Sequence, residues 1–178
     1  MLDKYSELEM IALNYRGNLF LLASLLLRID LHSKSIGEVI KSLLREAVEV
    51  RKRAYCPYSN FAVGAAILTE DGSKVYTGCN IENSTLTPCI CAERAAVPKA
   101  VCDGYLNFKA VAVVAYQKDS FTAPCGVCRQ TLSEFCGSDG DIEVYLSKPT
   151  LDKVLCTKLS ELLPLSFVSY KKDSVVEE

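Results

Sequence analysis

The chain has 178 residues, 49% of them apolar and 24% charged, with 20 basic side chains against 22 acidic ones for a net charge of -2. That suffices for one core of ordinary size and not for a second full domain. Neither sign of charge gathers in long runs, which argues against a nucleic-acid backbone or an anionic membrane as the main partner and favours a small neutral ligand. His32 is the one histidine, so most Ser-His-Asp and histidine-rich metal chemistry is excluded. Cysteine is abundant instead, at Cys56, Cys79, Cys89, Cys91, Cys102, Cys125, Cys128, Cys136 and Cys156. An odd count without a signal-peptide pattern predicts reduced thiols in a cytoplasmic protein rather than a secreted disulfide framework.

In chain order, the apolar run Leu19 to Leu27 is too short to span about 30 Å of hydrocarbon. Asp3, Glu7 and Glu9 precede it where a secretory signal carries basic residues. Residues 1–33 read as an added segment, helical in pattern and without an assigned role. Ser35 and Glu38 have capping-box spacing, and Ile36, Val39, Ile40, Leu43, Leu44, Ala47 and Val50 recur at helical intervals up to about Arg53. Pro57 stops this helix. Phe61 to Leu68 is an apolar run of strand length, Asp71-Gly72 supplies a turn, and Lys74 to Gly78 returns as a hairpin. A helix is expected from Cys91 to Cys102 and a strand from Ala110 to Tyr116. Next come a helix from Pro124 to Phe135, strands at Glu143 to Leu146 and Val154 to Thr157, and a helical turn at Leu159 to Leu163. This order predicts a single three-layer α/β/α domain over residues 34–170, with a mixed sheet of about five strands and a polar tail at 171–178.

The chemistry-bearing residues gather at the starts of the second and third helices. Cys125 and Cys128 are three apart, which on a first helical turn puts both thiols on one face, near free N–H groups and the positive dipole end that favour thiolate. Alone, such a pair reads as a dithiol redox centre or as half of a structural zinc site. The second cluster, Cys91-Ala92-Glu93-Arg94, decides between them. Three thiolates from Cys91, Cys125 and Cys128 would hold zinc with one tetrahedral position open, the mark of a catalytic centre. Glu93 would stand beside the metal without binding it, placed to move protons between water and substrate. Arg94 could donate to the ligand sulfurs and offset their charge, with Arg129 a weaker candidate for the same task.

Cys-Ala-Glu followed some 30 residues later by Pro-Cys-x-x-Cys matches the zinc-deaminase signature. With Tyr55 to Phe61 (YCPYSNF), Gly78 to Asn83 (GCNIEN), Pro124 to Gln130 (PCGVCRQ) and Glu161 to Pro164 (ELLP), the chain resembles the homotetrameric cytidine deaminases from about Ser35 to Phe167. The resemblance implies the cytidine deaminase fold and one zinc per chain on Cys91, Cys125 and Cys128, with Glu93 as proton shuttle. It also implies that Phe61 stacks on the pyrimidine, that Asn80 and Glu82 bind the sugar, and that Phe167 covers the pyrimidine in an adjacent subunit. The implied reaction is hydrolytic deamination of cytidine or deoxycytidine to uridine or deoxyuridine and ammonia, in pyrimidine salvage.

Without the motifs, Phe61 would read as core, and Asn80 and Glu82 as polar residues alternating on one strand face. Three positions depart from the pattern. Leu86 stands where an aromatic residue is common, Cys89 replaces a glycine two residues before a ligand, and Pro98 lies inside the Glu93 helix, where it removes a hydrogen bond and predicts a kink. Two alternatives stay open: deamination of another aminopyrimidine nucleoside, such as a blasticidin-type antibiotic, and a non-catalytic zinc module in which Cys89 closes a four-thiolate site.

Overall fold

Two apolar faces alternate along the central strand, and they set the architecture. The computed structural model describes residues 29–30, 37–137 and 140–167. Its elements are β1 (Ile29–Asp30), α1 (Glu38–Arg51), β2 (Val63–Thr69), β3 (Val75–Cys79), α2 (Ala92–Cys102), β4 (Phe108–Ala115), α3 (Gly126–Ser133), β5 (Glu143–Ser147), β6 (Val154–Lys158) and α4 (Leu159–Leu162). The six strands lie in the order β1-β6-β5-β4-β2-β3. β4 and β5 are parallel and every other neighbouring pair is antiparallel, so one crossover is needed, and α3 lies within it.

On one face, Ala66, Leu68, Ala110, Ala112 and Val114 pack against Leu43, Leu44 and Ala47 of α1. On the other, Ala65, Ile67, Val111 and Val113 pack against Ala92, Ala96, Val97 and Ala100 of α2 and Leu132 of α3. Helices on both faces leave the inner strands apolar throughout, as the run from Ala110 predicted. Phe108 joins the α2 side although its even number places it with Ala110. The cause is a bulge: β2 pairs Leu68 with Ala110 and then Thr69 with Phe108, skipping Lys109 and inverting the alternation.

The five predicted strands and four predicted helices are present, with small differences. β1 is an added two-residue edge strand, pairing Ile29 with Leu155 and Asp30 with Val154. It falls inside the segment read as helical, and an unpaired edge on β6 is the backbone partner that draws these residues into strand. The remainder of residues 1–33 and the tail 171–178 lie outside the described residues. Ser35, the expected partner of Glu38 in a capping box, lies outside the described residues. Gly37 is the N-cap of α1, and the Glu38 carboxylate turns forward to Lys41 at 2.9 Å. α1 ends at Arg51, six residues before Pro57. α2 runs unbroken through Pro98.

Two glycines permit close layer contacts. A Cβ at Gly64 would lie 2.1 Å from the Ala47 carbonyl oxygen of α1, and one at Gly78 would lie 2.3 Å from the Ala92 carbonyl oxygen of α2. Only a residue without a side chain lets main chain approach main chain at these distances. No helix among the described residues is long and apolar enough to cross a membrane.

Candidate functional site

Cys91 is the N-cap of α2 and Cys125 the N-cap of α3, both with extended backbone and neither bonding its own helix through its side chain. Packing both helices on one sheet face brings these positive ends together, with Cys128 in the first turn of α3. The sulfurs of Cys91 and Cys125 are 3.9 Å apart and those of Cys125 and Cys128 3.5 Å, and all three lie within 4.8 Å of one another. Zinc–sulfur bonds of about 2.3 Å at tetrahedral angles separate sulfurs by about 3.8 Å, so the spacing suits one zinc ion. A donor set of three soft thiols suits it as well. Cys89 is outside the group: its sulfur accepts the Asn83 N–H at 3.1 Å and faces the Asn83 carbonyl at 3.7 Å.

The three thiols do not share charge evenly. Cys91 is pushed down to about 5, first by a hydrogen bond from the Cys128 thiol and then by Arg94, against the opposing effect of burial. Cys128 is pushed up because it donates that proton and is itself buried. The hydrogen bond and Arg94 thus favour the thiolate form at Cys91 and the protonated form at Cys128, and metal binding must displace what protons remain. Arg94 approaches the Cys91 sulfur at 3.7 Å through Nη2, which also donates to the Cys89 carbonyl at 3.2 Å. The geometry suits charge compensation. Arg129 is occupied elsewhere: Nε donates to the Pro124 carbonyl at 2.7 Å and Nη1 to the Leu162 carbonyl at 2.6 Å, a brace between the entry of α3 and the end of α4.

Glu93, in the first turn of α2, is 4% exposed. Burial raises its carboxyl above the usual range, and the negative charge at Cys91 adds to the effect. A carboxyl in such a setting holds a proton more readily than one in water.

Cys91, Glu93 and Cys125 line one end of a hollow of about 320 Å³ that Phe61 and Val63 border at the start of β2, Asn80 to Glu82 after β3, Cys89 to Glu93 at the entry of α2, and Thr122 and Ala123 before α3, whereas Cys128 is fully buried and is not part of the lining. Among the described residues, no lysine or arginine lines the hollow. Asn80 and Glu82 sit past the end of β3 and not within the strand, as the alternation had suggested. Their side chains are already engaged. The Asn80 amide accepts from the Val63 N–H at 2.8 Å and donates to the Phe61 carbonyl at 2.9 Å. The Glu82 carboxylate accepts from the Tyr58 N–H at 2.9 Å, the Ser59 N–H at 3.2 Å and the Ser59 hydroxyl, and that hydroxyl holds it below the usual carboxylate range. Asn80 thereby fixes the backbone on both sides of Phe61's neighbour Ala62, and Glu82 fixes the loop leading to Phe61.

Phe167 is outside this hollow. It is 69% exposed, and its carbonyl accepts from the Gln130 amide at 2.9 Å. Leu86 is likewise 69% exposed and takes a left-handed backbone with φ 61°. Several lining residues were given no functional role from the sequence, among them Ser59, Ile90, Val113, Thr122 and Ala123. Ser59 fell within a quoted motif with no role attached. Thr122, three residues before Cys125, could have been singled out only as a polar side chain next to a ligand.

A family model described as the cytidine and deoxycytidylate deaminase zinc-binding region matches residues 38–140. The chain belongs to the cytidine and deoxycytidylate deaminase family. Among curated members, it is similar to the cytidine deaminase of Sporosarcina psychrophila, 48% identical over 128 residues that cover 72% of this chain and 90% of the relative. The cytidine deaminase of Halalkalibacterium halodurans is 46% identical, with 71% and 92% covered. Among solved structures, the cytidine deaminase of Burkholderia pseudomallei aligns with a TM-score of 0.65 at 43% identity, over 71% of this chain and 98% of that one. The family match spans both helix starts and the residues from Phe61 to Cys128, and it ends before Phe167.

Proposed function

We propose that this chain catalyses the hydrolytic deamination of cytidine and deoxycytidine, giving uridine and deoxyuridine with release of ammonia. One observation carries the reading. Three thiols stand at tetrahedral spacing, and two of them, Cys91 and Cys125, line the same nucleoside-sized hollow as the buried carboxyl of Glu93. Cys91, Cys125 and Cys128 hold one zinc ion per chain. When bound, zinc supplies the electrostatic pull that lets water lose a proton near neutral pH.

The protein's own groups do the rest. Glu93 takes the proton given up by the attacking water, delivers it to N3 of the pyrimidine, and passes a second proton to the departing amine. Arg94 offsets the negative charge of the thiolates, and the N-termini of α2 and α3 add to that. Phe61 stacks on the base, with Asn80 and Glu82 at the sugar. A lining without cations offers nothing to a 5'-phosphate, and Glu82 repels one, so a nucleoside fits better than a nucleotide.

In this reading the working unit is a homotetramer in which Phe167, exposed on one chain, closes the hollow of a neighbour. The place of action is the cytoplasm, where the nine free thiols stay reduced. The test is to incubate purified protein with cytidine, deoxycytidine and blasticidin S, follow loss of the aminopyrimidine absorbance, and measure zinc in the same sample. Turnover of the first two with about one zinc per chain supports the reading. Turnover of the antibiotic alone defeats it.

A further inference from the structure

The polar side chains bordering the hollow have protein partners, with one exception. Asn80 is bound to the backbone at both ends of its amide, Ser59 donates to Glu82, Glu82 accepts three hydrogen bonds, and Cys89 is paired with Asn83. Thr122 lines the same hollow, and its Oγ1 is buried without a hydrogen-bond partner. Among the described residues only Arg94 Nε, behind the Cys91 thiol, shares that condition.

A buried hydroxyl left unpaired destabilises the fold, so a loop that keeps one keeps it at a cost. A ligand can remove that cost. The base of a nucleoside enters with donors and acceptors, and of the polar side chains bordering the hollow outside the thiols and Glu93, Thr122 is the one whose polar atom is buried without a partner. A hydroxyl both donates and accepts, so it can meet the amine of an aminopyrimidine and equally the carbonyl that replaces it. Thr122 is three residues before Cys125, in the segment that borders the hollow ahead of α3.

We propose that Thr122 is a specificity-determining residue whose hydroxyl hydrogen-bonds the base of the bound nucleoside. This rests on the cytidine reading above. It makes two opposed demands on the near-isosteric Thr122→Val substitution. The free protein loses an unsatisfied polar atom and so keeps or gains stability, whereas the complex loses a hydrogen bond and so weakens. A hydroxyl that merely held its loop in place would lower both together.

The experiment compares zinc-loaded wild type, Thr122→Val and Thr122→Ser by thermal unfolding, by kcat and KM for cytidine, and by calorimetric affinity for uridine. The valine variant is expected to show a Tm at or above wild type, with KM for cytidine and Kd for uridine each raised about fivefold, the effect of one net hydrogen bond. Serine, which keeps the hydroxyl, restores both. Unchanged KM and uridine affinity in the valine variant overturns the inference. So does a fall of Tm alongside affinity, or a serine variant as weak as the valine one. A wild type that neither deaminates cytidine nor binds uridine overturns the nucleoside reading and this inference with it, and the two failures are thereby told apart.

Discussion

The two ends of the hollow are built on different principles. At the thiol end, the sulfurs of Cys91, Cys125 and Cys128 are gathered within 4.8 Å of one another, and Cys91, Cys125 and the buried Glu93 border the cavity. At the rim, Asn80 and Glu82 turn their polar atoms into the protein, toward the backbone around Phe61 and toward Ser59. The first end uses residues for their reactivity. The second uses residues to hold a shape, and only then for what that shape presents. The contrast predicts that damage at the thiol end abolishes the reaction or the metal, while damage at the rim mainly weakens binding.

The largest effect should come from the ligands. Cys91→Ser, Cys125→Ser and Cys128→Ser should each lose zinc and folded stability together, read by metal analysis and thermal unfolding. Cys89→Ser should keep zinc and turnover, since that sulfur pairs with Asn83. If Cys89→Ser alone releases the metal, the site is a closed four-thiolate one and not catalytic. Next comes Glu93→Gln, expected to retain about one zinc per chain and lose roughly 10²-fold or more in kcat. Zinc lost along with activity would make Glu93 a structural support.

Phe167→Ala should raise KM about fivefold, an aromatic contact being worth about 1 kcal/mol beyond its area, with zinc intact. Mixing these chains with Glu93→Gln chains should return sites of wild-type KM, because a functional shuttle then meets a neighbour's phenylalanine. Mixed assemblies that keep the raised KM, or a fully active monomer, would contradict that arrangement. The smallest change is expected at Glu82. Its carboxyl sits below the usual carboxylate range in the folded protein. The hold on Ser59 is therefore complete above that range and is lost only as the pH falls through the lowered folded value. KM for cytidine should stay flat from neutral to mildly acidic pH and rise only in stronger acid, and a rise beginning near neutrality would point to another group.

Much of this was legible from residue types whose placement leaves little choice. The run from Ala110 had to be a strand covered on both sides, and three cysteines beside a glutamate at two helix starts read as a cluster that could hold a metal, which the structure brings together. What escaped depends on contacts far apart in the chain. The two residues of β1 carry no pattern and owe their form to the open edge of β6. Phe108 changes face because of a bulge that no periodicity shows. The donors of Arg129 find the carbonyls of Pro124 and Leu162, and the Glu38 carboxylate finds Lys41, choices that depend on where a long side chain ends up. Thr122 is the clearest case: a loop threonine means nothing until its hydroxyl is seen buried and unpartnered on a residue that borders the hollow.

Gly78 has a wider consequence. Because a single added carbon there would strike the main chain of α2 at Ala92 and Ala96, the spacing between β3 and that helix is set by a missing atom. Asn80 lies two residues beyond it on one side and Glu93 one residue beyond Ala92 on the other, so the rim and the proton shuttle are gauged from the same point. Position 78 thus works as the calibration of the cavity: a residue that touches neither metal nor nucleoside fixes how long a molecule the cavity can measure.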